Sequence, residues 1–344
     1  MPARLDARVF ALPKDPDQPS GYQDASAVDP QRGIAAIADG VSSSLFSGRW
    51  ASILTEAAVG DAPDPGEQGL FAAWLATQRK LWATGIDTAS LAWFQRAKLP
   101  MGAFSTLLWV RVLELPEAAD PGDHAAHGAP AAPGSFGAYR LLAHAIGDSC
   151  LFQVRRGELV RSFPLQTSAE LEADPLVLGS VDLRRDQLLQ FAALNEICYP
   201  DDLLILCTDA LAQWALRGYE SGNPPDWLRA WDMPPDAWRA EIAALREHRQ
   251  LQDDDTTLVM LRIAEAPLEA ILAPENPTAA AEPAAAPLDW IRSASKGIVP
   301  VSARVADQID QTSGRVLRGL KSLKDKALKK YRDKFGKKDP PEPP

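Results

Sequence analysis

The chain has 344 residues, 46% of them hydrophobic and 24% charged, with a formal net charge of −10, a composition typical of a protein with a buried core and a polar surface. The charge is divided unevenly, because residues 291–338 contain 14 Lys and Arg against 4 Asp and Glu, whereas residues 1–290 carry a net charge of −18. Phosphate backbones need a positive surface, so the acidic body argues against nucleic-acid binding there.

The cysteines and the apolar runs indicate an intracellular chain. Cys150, Cys198 and Cys207 are too few for a disulfide framework, and two of them lie in apolar runs typical of buried thiols. The first residues lack the apolar stretch of a signal peptide, and no run of about 18 apolar residues predicts a membrane span. We therefore expect a cytoplasmic location.

Apolar runs predict several strands with helices grouped between them. The first strand is the run 34–38, followed by helical segments at 48–60 and roughly 67–97. The later segments are strands at 102–115, at 139–163 with a tight turn at "RRG", at 201–211 and at 256–265, with a helical stretch at 226–251 before the last strand. Because strands and helices do not alternate one for one, the pattern predicts an α+β fold.

Aspartates occur where these apolar runs end or begin. Asp39, Asp148 and Asp209 each end an apolar run, Asp254 precedes the last run, and Asp24 lies upstream of the first. Each one alone is explained by a turn, where aspartate is common. Five at the ends of separate strands can converge at one rim of a sheet, which is unfavourable unless a cation lies among them. Oxygen-only ligands favour Mg²⁺ or Mn²⁺ over Zn²⁺.

The motifs in order resemble the metal-dependent Ser/Thr protein phosphatases of the type 2C (PPM) family, in a bacterial form. The matching stretches cover about residues 5–264 and are "GYQDA", "AIADGV", "GAFSTLL", "HAIGDSCLFQVRRGEL", "DPLVLGS", "LLILCTDAL" and "DDDTTLVML". The resemblance implies a four-layer α-β-β-α sandwich of two mixed, mainly antiparallel sheets flanked by helices, with metal ions at one end.

The resemblance also implies the ligands of the first ion. Asp39 would bridge two ions, and the Gly40 carbonyl would be a further ligand. Asp209 and Asp254 would complete the coordination shell of the first ion. A backbone carbonyl reaches a metal where the chain turns sharply, so we expect Gly40 to be required for its dihedral freedom.

The remaining ions would depend on two further aspartates. Asp24 would bind the second ion, directly or through water, and Asp148 with Asp209 would hold the weaker third ion of bacterial members. Asp39 and Asp209 would act catalytically through a metal-activated water, which attacks phosphorus without a nucleophilic side chain. Thr257 and Ser149 would support these ligands rather than react.

The chain departs from the family pattern around this site. "VSSS" replaces the usual Gly-Gly loop, Val41 stands where many eukaryotic members have a general-acid histidine, Gln23 replaces a Glu, and Ala210 replaces a Gly. The three serines would line the rim of the site, with helix capping by Ser47 as the alternative.

The phosphate-binding arginine of the family is also missing. Its position falls near Pro19, and Lys14 or Arg49 would be the compensating cation. Metal binding should survive these changes better than substrate binding.

Composition divides the chain into a phosphatase-like domain at 1–266, an Ala/Pro-rich linker at 267–290 and a basic amphipathic helical tail at 291–344. Apolar residues in the tail recur with gaps of three, four and seven, as on one face of a helix. Three uses fit it: docking on a partner protein, binding an anionic membrane surface, or folding back on the acidic body. A solvated basic helix without a partner is the fourth reading.

Two hypotheses about function follow. The first is an enzyme that hydrolyses phosphoserine and phosphothreonine on a protein, using two Mn²⁺ or Mg²⁺ ions and in bacterial members a third, and opposing a partner kinase. The second is a catalytically weak or inactive binding module recruited through its tail. The aspartates favour the first, because a scaffold has no physical need for so much like charge, whereas the missing arginine favours the second.

Overall fold

The computed structural model describes residues 2–18, 21–115, 137–182 and 190–264. The predicted linker and basic tail, and the position near Pro19, lie outside these residues. The strands are β1 (Leu5–Leu12), β2 (Ala25–Asp29), β3 (Ile34–Ala38), β4 (Phe104–Ser105), β5 (Leu107–Glu114), β6 (Tyr139–Ile146), β7 (Cys150–Arg155), β8 (Glu158–Phe163), β9 (Leu178–Gly179), β10 (Ala192–Cys198), β11 (Asp202–Cys207) and β12 (Thr256–Ile263). The α-helices are α1 (Ser47–Asp61), α2 (Gln68–Thr84), α3 (Trp93–Lys98), α4 (Asp209–Glu220), α5 (Trp227–Asp232) and α6 (Pro235–Glu247).

Two five-stranded sheets form the centre of the fold. One has the order β1-β12-β11-β7-β8 and the other the order β10-β6-β5-β3-β2, while β4 and β9 form a small separate ribbon. Every pairing among the described strands is antiparallel, so the expectation of mixed sheets is wrong. An all-antiparallel arrangement fits the short turns that connect β2 to β3 and β7 to β8.

Three apolar clusters show how the layers pack. The middle cluster joins the facing sides of the two sheets and includes Ile37, Leu108, Leu151 and Val259. A second cluster packs the outer side of the first sheet against α4, α5 and α6. The third packs the outer side of the second sheet against α1 and α2 around Trp50, which is fully buried. The predicted four-layer α-β-β-α sandwich is therefore confirmed.

Several predicted segments are divided in the structure. The helical region at 67–97 is two helices, α2 and α3, and the stretch at 226–251 is α5 and α6, separated at Met233-Pro234. The predicted strand at 201–211 is wrong at its end, because Asp209 begins α4. The "RRG" turn between β7 and β8 is confirmed, with φ of 53° at Arg156 and 87° at Gly157. The sequence patterns missed β1, β2, β9 and β10.

All three cysteines are buried and free, as expected. Cys150 and Cys207 lie directly opposite each other on β7 and β11, whereas Cys198 pairs with Tyr139 across β10 and β6. The first pair lies at the end of the sandwich where β11 ends, and Cys198 lies at the end where β6 begins. No helix in the described ranges is long and apolar enough to cross a membrane.

Candidate metal centre

The topology brings the five predicted aspartates to one end of the sandwich. Asp39 directly follows β3, and Asp24 directly precedes β2, its antiparallel neighbour. Asp148 lies in the turn from β6 to β7, the point where the chain passes from one sheet to the other. Asp209 follows β11 and Asp254 precedes β12, and these two strands are also antiparallel neighbours. Each aspartate therefore lies at the same end of its strand pair.

Their electrostatic interaction shows that the carboxylates are close together. Burial raises the pKa of Asp39 to about 10, and the neighbouring charges of Asp24, Asp209, Asp148 and Asp254 add to the effect. The other four side chains thus lie around Asp39, where the mutual repulsion of the five favours the neutral acids in the absence of a cation.

Asp24 is held by two threonine hydroxyls. Thr208 Oγ1 donates to Asp24 Oδ2 at 2.9 Å and Thr257 Oγ1 donates to the same oxygen at 2.8 Å. All three side chains are buried, and Tyr22 contacts the Thr257 hydroxyl from the other side. Since the single proton of Thr257 is directed at Asp24, the Tyr22 hydroxyl must donate to Thr257. Burial raises the pKa of Asp24 to about 8, against the lowering effect of these two hydrogen bonds.

The second oxygen of Asp24 has no protein partner. Asp24 Oδ1 and Asp148 Oδ1 are both buried and accept no hydrogen bond from any residue in the described ranges. Buried polar atoms are normally paired, so an orphaned carboxylate oxygen in an acidic cluster needs an explanation. A divalent cation with oxygen ligands would satisfy both atoms.

Gly147 creates the turn that carries Asp148. Its φ is +106°, and a Cβ at this position would lie 2.5 Å from Thr106 Cγ2. Only glycine accepts both the left-handed backbone and this close approach. Thr106 in turn hydrogen-bonds Ser149 at 3.0 Å, which joins the Asp148 turn to the start of β5. The expected supporting role of Ser149 thus has a partner in the structure.

The main chain of Asp39 is fixed on both sides. Its N–H donates to Thr106 Oγ1 at 2.9 Å, and its carbonyl accepts from Thr106 N at 2.9 Å and from Ser105 Oγ at 2.8 Å. The Asp39 side chain is therefore free of these bonds while its position is set by the neighbouring β5 segment.

The reason expected for Gly40 is wrong, because its φ is not positive. A Cβ at Gly40 would instead lie 2.7 Å from the Gln23 carbonyl oxygen and 2.7 Å from the Ser47 carbonyl carbon. Glycine is needed here for close packing between the segment before β2 and the start of α1. The capping alternative for Ser47 is also wrong: it lies inside α1, and its hydroxyl has no partner among the described residues.

Two residues to which the sequence patterns assigned no role, Asp255 and Arg246, support the aspartates. Asp255 accepts the backbone N–H groups of Lys14 and Gln23, each at 2.7 Å, and so ties the segment before Asp24 to β12. The Arg246 guanidinium donates to the Asp254 carbonyl at 2.5 Å and to the Thr256 hydroxyl at 2.7 Å. The run of three aspartates before β12 was a visible signal for Asp255, whereas nothing local marks Arg246.

In the described residues, neither Lys14 nor Arg49, the two cations proposed to replace the missing arginine, forms a side-chain hydrogen bond or ion pair with the five aspartates. The Lys14 side chain is exposed and only its backbone N–H contacts Asp255. The Arg49 guanidinium lies so close to Gly85 that a Cβ there would be 1.7 Å from it. Val41, which replaces the family's histidine, donates its backbone N–H to the Phe104 carbonyl at 2.9 Å.

The donor set fits a hard divalent cation in its chemistry. Burial and the charge of Asp148 raise the pKa of Asp209 to about 7, although the Ala210 N–H donates to it at 2.6 Å. Among the described residues, no three His, Cys, Asp or Glu side chains form a closed group able to hold an ion. The aspartates are therefore neighbours with free oxygens on Asp24 and Asp148.

Comparisons with known proteins find likenesses of structure. No known family model and no curated protein matches the sequence. Similar solved structures include Ser/Thr phosphatase Stp1 from Staphylococcus aureus (TM-score 0.47, 10% identity, 77% of this chain and 98% of that chain). Others are the catalytic domain of the Ser/Thr protein phosphatase PstP with two manganese ions (TM-score 0.45, 14%, 76% and 99%) and PppA, a regulatory component of T6SS in Pseudomonas aeruginosa (TM-score 0.43, 16%, 76% and 98%).

Proposed function

We propose that the chain is a metal-dependent phosphatase that hydrolyses phosphoserine and phosphothreonine on proteins. The observation that carries this proposal is the cluster of five aspartates, of which Asp24 and Asp148 are buried and each have one orphaned oxygen. Oxygen donors alone suit Mg²⁺ or Mn²⁺, and such ions relieve the repulsion that raises these pKa values. The order of motifs that resemble the type 2C family gives the reaction class.

The aspartates have distinct parts in this proposal. Asp39, the Gly40 carbonyl, Asp209 and Asp254 would hold one ion, and Asp39 with Asp24 would hold the second. Asp148 with Asp209 would hold a third. When bound, a pair of such ions supplies a hydroxide at neutral pH and neutralises charge on the phosphoryl oxygens.

The surrounding residues orient these carboxylates. Thr208 and Thr257 fix one oxygen of Asp24 and leave the other free, and the bonds from Thr106 fix the main chain of Asp39. Asp255 holds the chain segment that leads to Asp24. Orientation of this kind removes the need to order the ligands during the reaction.

The test is hydrolysis of p-nitrophenyl phosphate and of a phosphothreonine peptide with Mn²⁺, Mg²⁺ or EDTA. We expect metal-dependent turnover, and we expect Asp209→Ala to lower kcat/KM by more than about 100-fold, beyond the range for losing an outer partner of a ligand. Asp201→Ala is the matched control, since Asp201 precedes the same strand at its other end and is exposed. No turnover with any metal, in protein shown to be folded, would leave the binding-module hypothesis.

A further inference from the structure

Large apolar side chains are exposed on one short segment beside the candidate metal centre. Trp93 is 82% exposed, Phe94 is 52% exposed and Met101 is 62% exposed. The two aromatic rings contact each other edge to face at 6.0 Å, so they do not pack into the core clusters. Grouped exposure of large apolar side chains marks an interaction surface more often than an ordinary protein surface.

Two cations flank these aromatic residues. Arg96 and Lys98 lie on the same helix, α3, and neither forms an ion pair with a described residue. Arg96 donates only to the backbone carbonyl of Ala89, at 2.8 Å. Because residues 1–290 carry a net charge of −18, this aromatic and basic group is a local exception on an acidic body.

This segment is directly connected to the metal centre. The short 3₁₀ helix Leu99–Met101 leads within three residues to Phe104, a span of at most about 11 Å. The Phe104 carbonyl accepts from Val41 N at 2.9 Å, and the next residue, Ser105, donates to the Asp39 carbonyl at 2.8 Å. A substrate peptide whose phosphorylated residue lies at Asp39 can therefore contact Met101 and α3 through the residues that flank the phosphorylated one.

We propose that Trp93, Phe94, Arg96, Lys98 and Met101, together the α3 surface, dock the acidic segment that flanks the phosphorylated residue of a protein substrate. The proposal rests on the proposed function and deepens it by naming the substrate class. The acidic side chains of such a segment complement Arg96 and Lys98, and its apolar side chains cover the exposed aromatic rings. The acidic remainder of the body repels the same segment and so restricts it to this surface.

Binding of a labelled peptide tests the proposal without turnover. The probe is a fluorescein-labelled phosphoserine peptide with acidic and leucine residues beside the phosphoserine, added to the full chain in EDTA and followed by fluorescence anisotropy. We expect Trp93→Ala with Phe94→Ala to raise the Kd about tenfold or more, the effect of losing an aromatic anchor. Arg96→Glu with Lys98→Glu should raise it similarly, and more so at low salt.

Matched controls come from the edge strand β1. Val9 is 47% exposed and its neighbour Arg8 is also exposed, so Val9→Ala and Arg8→Glu change an exposed apolar side chain and an exposed cation outside the α3 surface. We expect both controls to leave the Kd unchanged, and we expect the α3-surface variants to leave kcat/KM for p-nitrophenyl phosphate unchanged. A peptide of the same sequence with its acidic residues replaced by lysine should bind at least about tenfold more weakly.

The outcomes separate this proposal from the proposed function. Equal peptide affinity in wild type and the α3-surface variants overturns the docking surface, even where p-nitrophenyl phosphate is hydrolysed. Two further outcomes, each with peptide affinity unchanged, also overturn it in favour of another occupant. In the first, the variants lose self-association in sedimentation velocity. In the second, they lose binding to anionic vesicles. Peptide binding that depends on α3 in a chain with no turnover supports the docking surface and removes the proposed function.

Discussion

At the scale of single residues, the hydroxyls around Asp24 determine which carboxylate oxygen is available. Thr208 and Thr257 both donate to Oδ2, and Thr208 also accepts the Thr257 N–H at 3.1 Å. Both hydroxyl protons are therefore donated to Oδ2, and neither is left to bind Oδ1. The orphaned Oδ1 is thus a consequence of which donors surround Asp24, and it is the atom that should bind a cation.

We predict that Thr208→Val raises the Kd for Mn²⁺ by roughly 10- to 100-fold, the range for losing an outer partner of a ligand. Thr208→Ser keeps the hydroxyl and should restore most of the affinity. Isothermal titration calorimetry measures this directly, and Thr77→Val, which removes an exposed hydroxyl on α2, is the control. Wild-type affinity in Thr208→Val would contradict the role given to this residue.

The raised pKa values predict how stability depends on pH in the metal-free chain. Asp24, Asp39 and Asp209 have folded pKa values of about 8, 10 and 7, all above their usual 3.8. The folded state therefore binds more protons than the unfolded state above pH 4, so the unfolding free energy should fall as pH rises towards 10.

Urea unfolding in EDTA between pH 5 and pH 9 measures this dependence. Asp39→Asn removes one titrating group and should flatten the curve relative to wild type. Excess Mn²⁺ should remove or reverse the fall, because metal ligands bind better when deprotonated. A free energy that rises with pH in EDTA would show that these acids are not buried together.

At the scale of elements, the turn between β6 and β7 joins the two sheets and also carries Asp148. We predict that Gly147→Ala lowers the unfolding free energy by at least about 2 kcal/mol, because it adds backbone strain and a contact with Thr106 at 2.5 Å. Gly157→Ala is the matched control, since φ is +87° there but no atom lies within 4 Å of the added Cβ. It should cost only the strain, about 1 kcal/mol. Equal costs, measured by urea unfolding, would show that the contact is easily relieved.

The Arg246 side chain connects helix α6 to the candidate metal centre. Arg246 donates to the carbonyls of Leu12, Pro13 and Asp254 and so joins the end of β1 to the segment before β12. We predict that Arg246→Lys lowers stability by about 2 kcal/mol, because an ammonium group cannot reproduce the planar fork. Arg239→Lys on the same helix, where the side chain is about half exposed, should have an effect within about 0.5 kcal/mol in the same unfolding assay.

At the scale of the whole molecule, the sequence was informative where the signal is local. Aspartates at the ends and beginnings of apolar runs predicted that five acids converge at one end of the sheets, and antiparallel pairing places those strand ends together. The role of Arg246 was not visible, since its partners are up to 234 positions away in the chain. The need for glycine at position 40 was explained wrongly, because the close packing of Gly40 against Gln23 and Ser47 leaves no pattern in the nearby sequence. The boundary at Asp209 was missed because Thr208 and Asp209 read as the continuation of an apolar strand.

The pairing of Cys150 with Cys207 provides a built-in reporter of this end of the sandwich. Each thiol lies two residues from an aspartate of the cluster and is fully buried. A thiol reagent can therefore react with them only when this end opens, whereas Cys198 lies at the opposite end and serves as an internal reference. Both thiols lie in the apolar cluster between the first sheet and helices α4 to α6, whereas Cys198 lies in the cluster between the two sheets. If cations bound by Asp148 and Asp209 hold α4 against the strand ends, labelling of Cys150 and Cys207 should slow when Mn²⁺ is added while labelling of Cys198 keeps its rate. The time course of modification would then record, without any substrate, how often this helical layer of the unliganded chain opens.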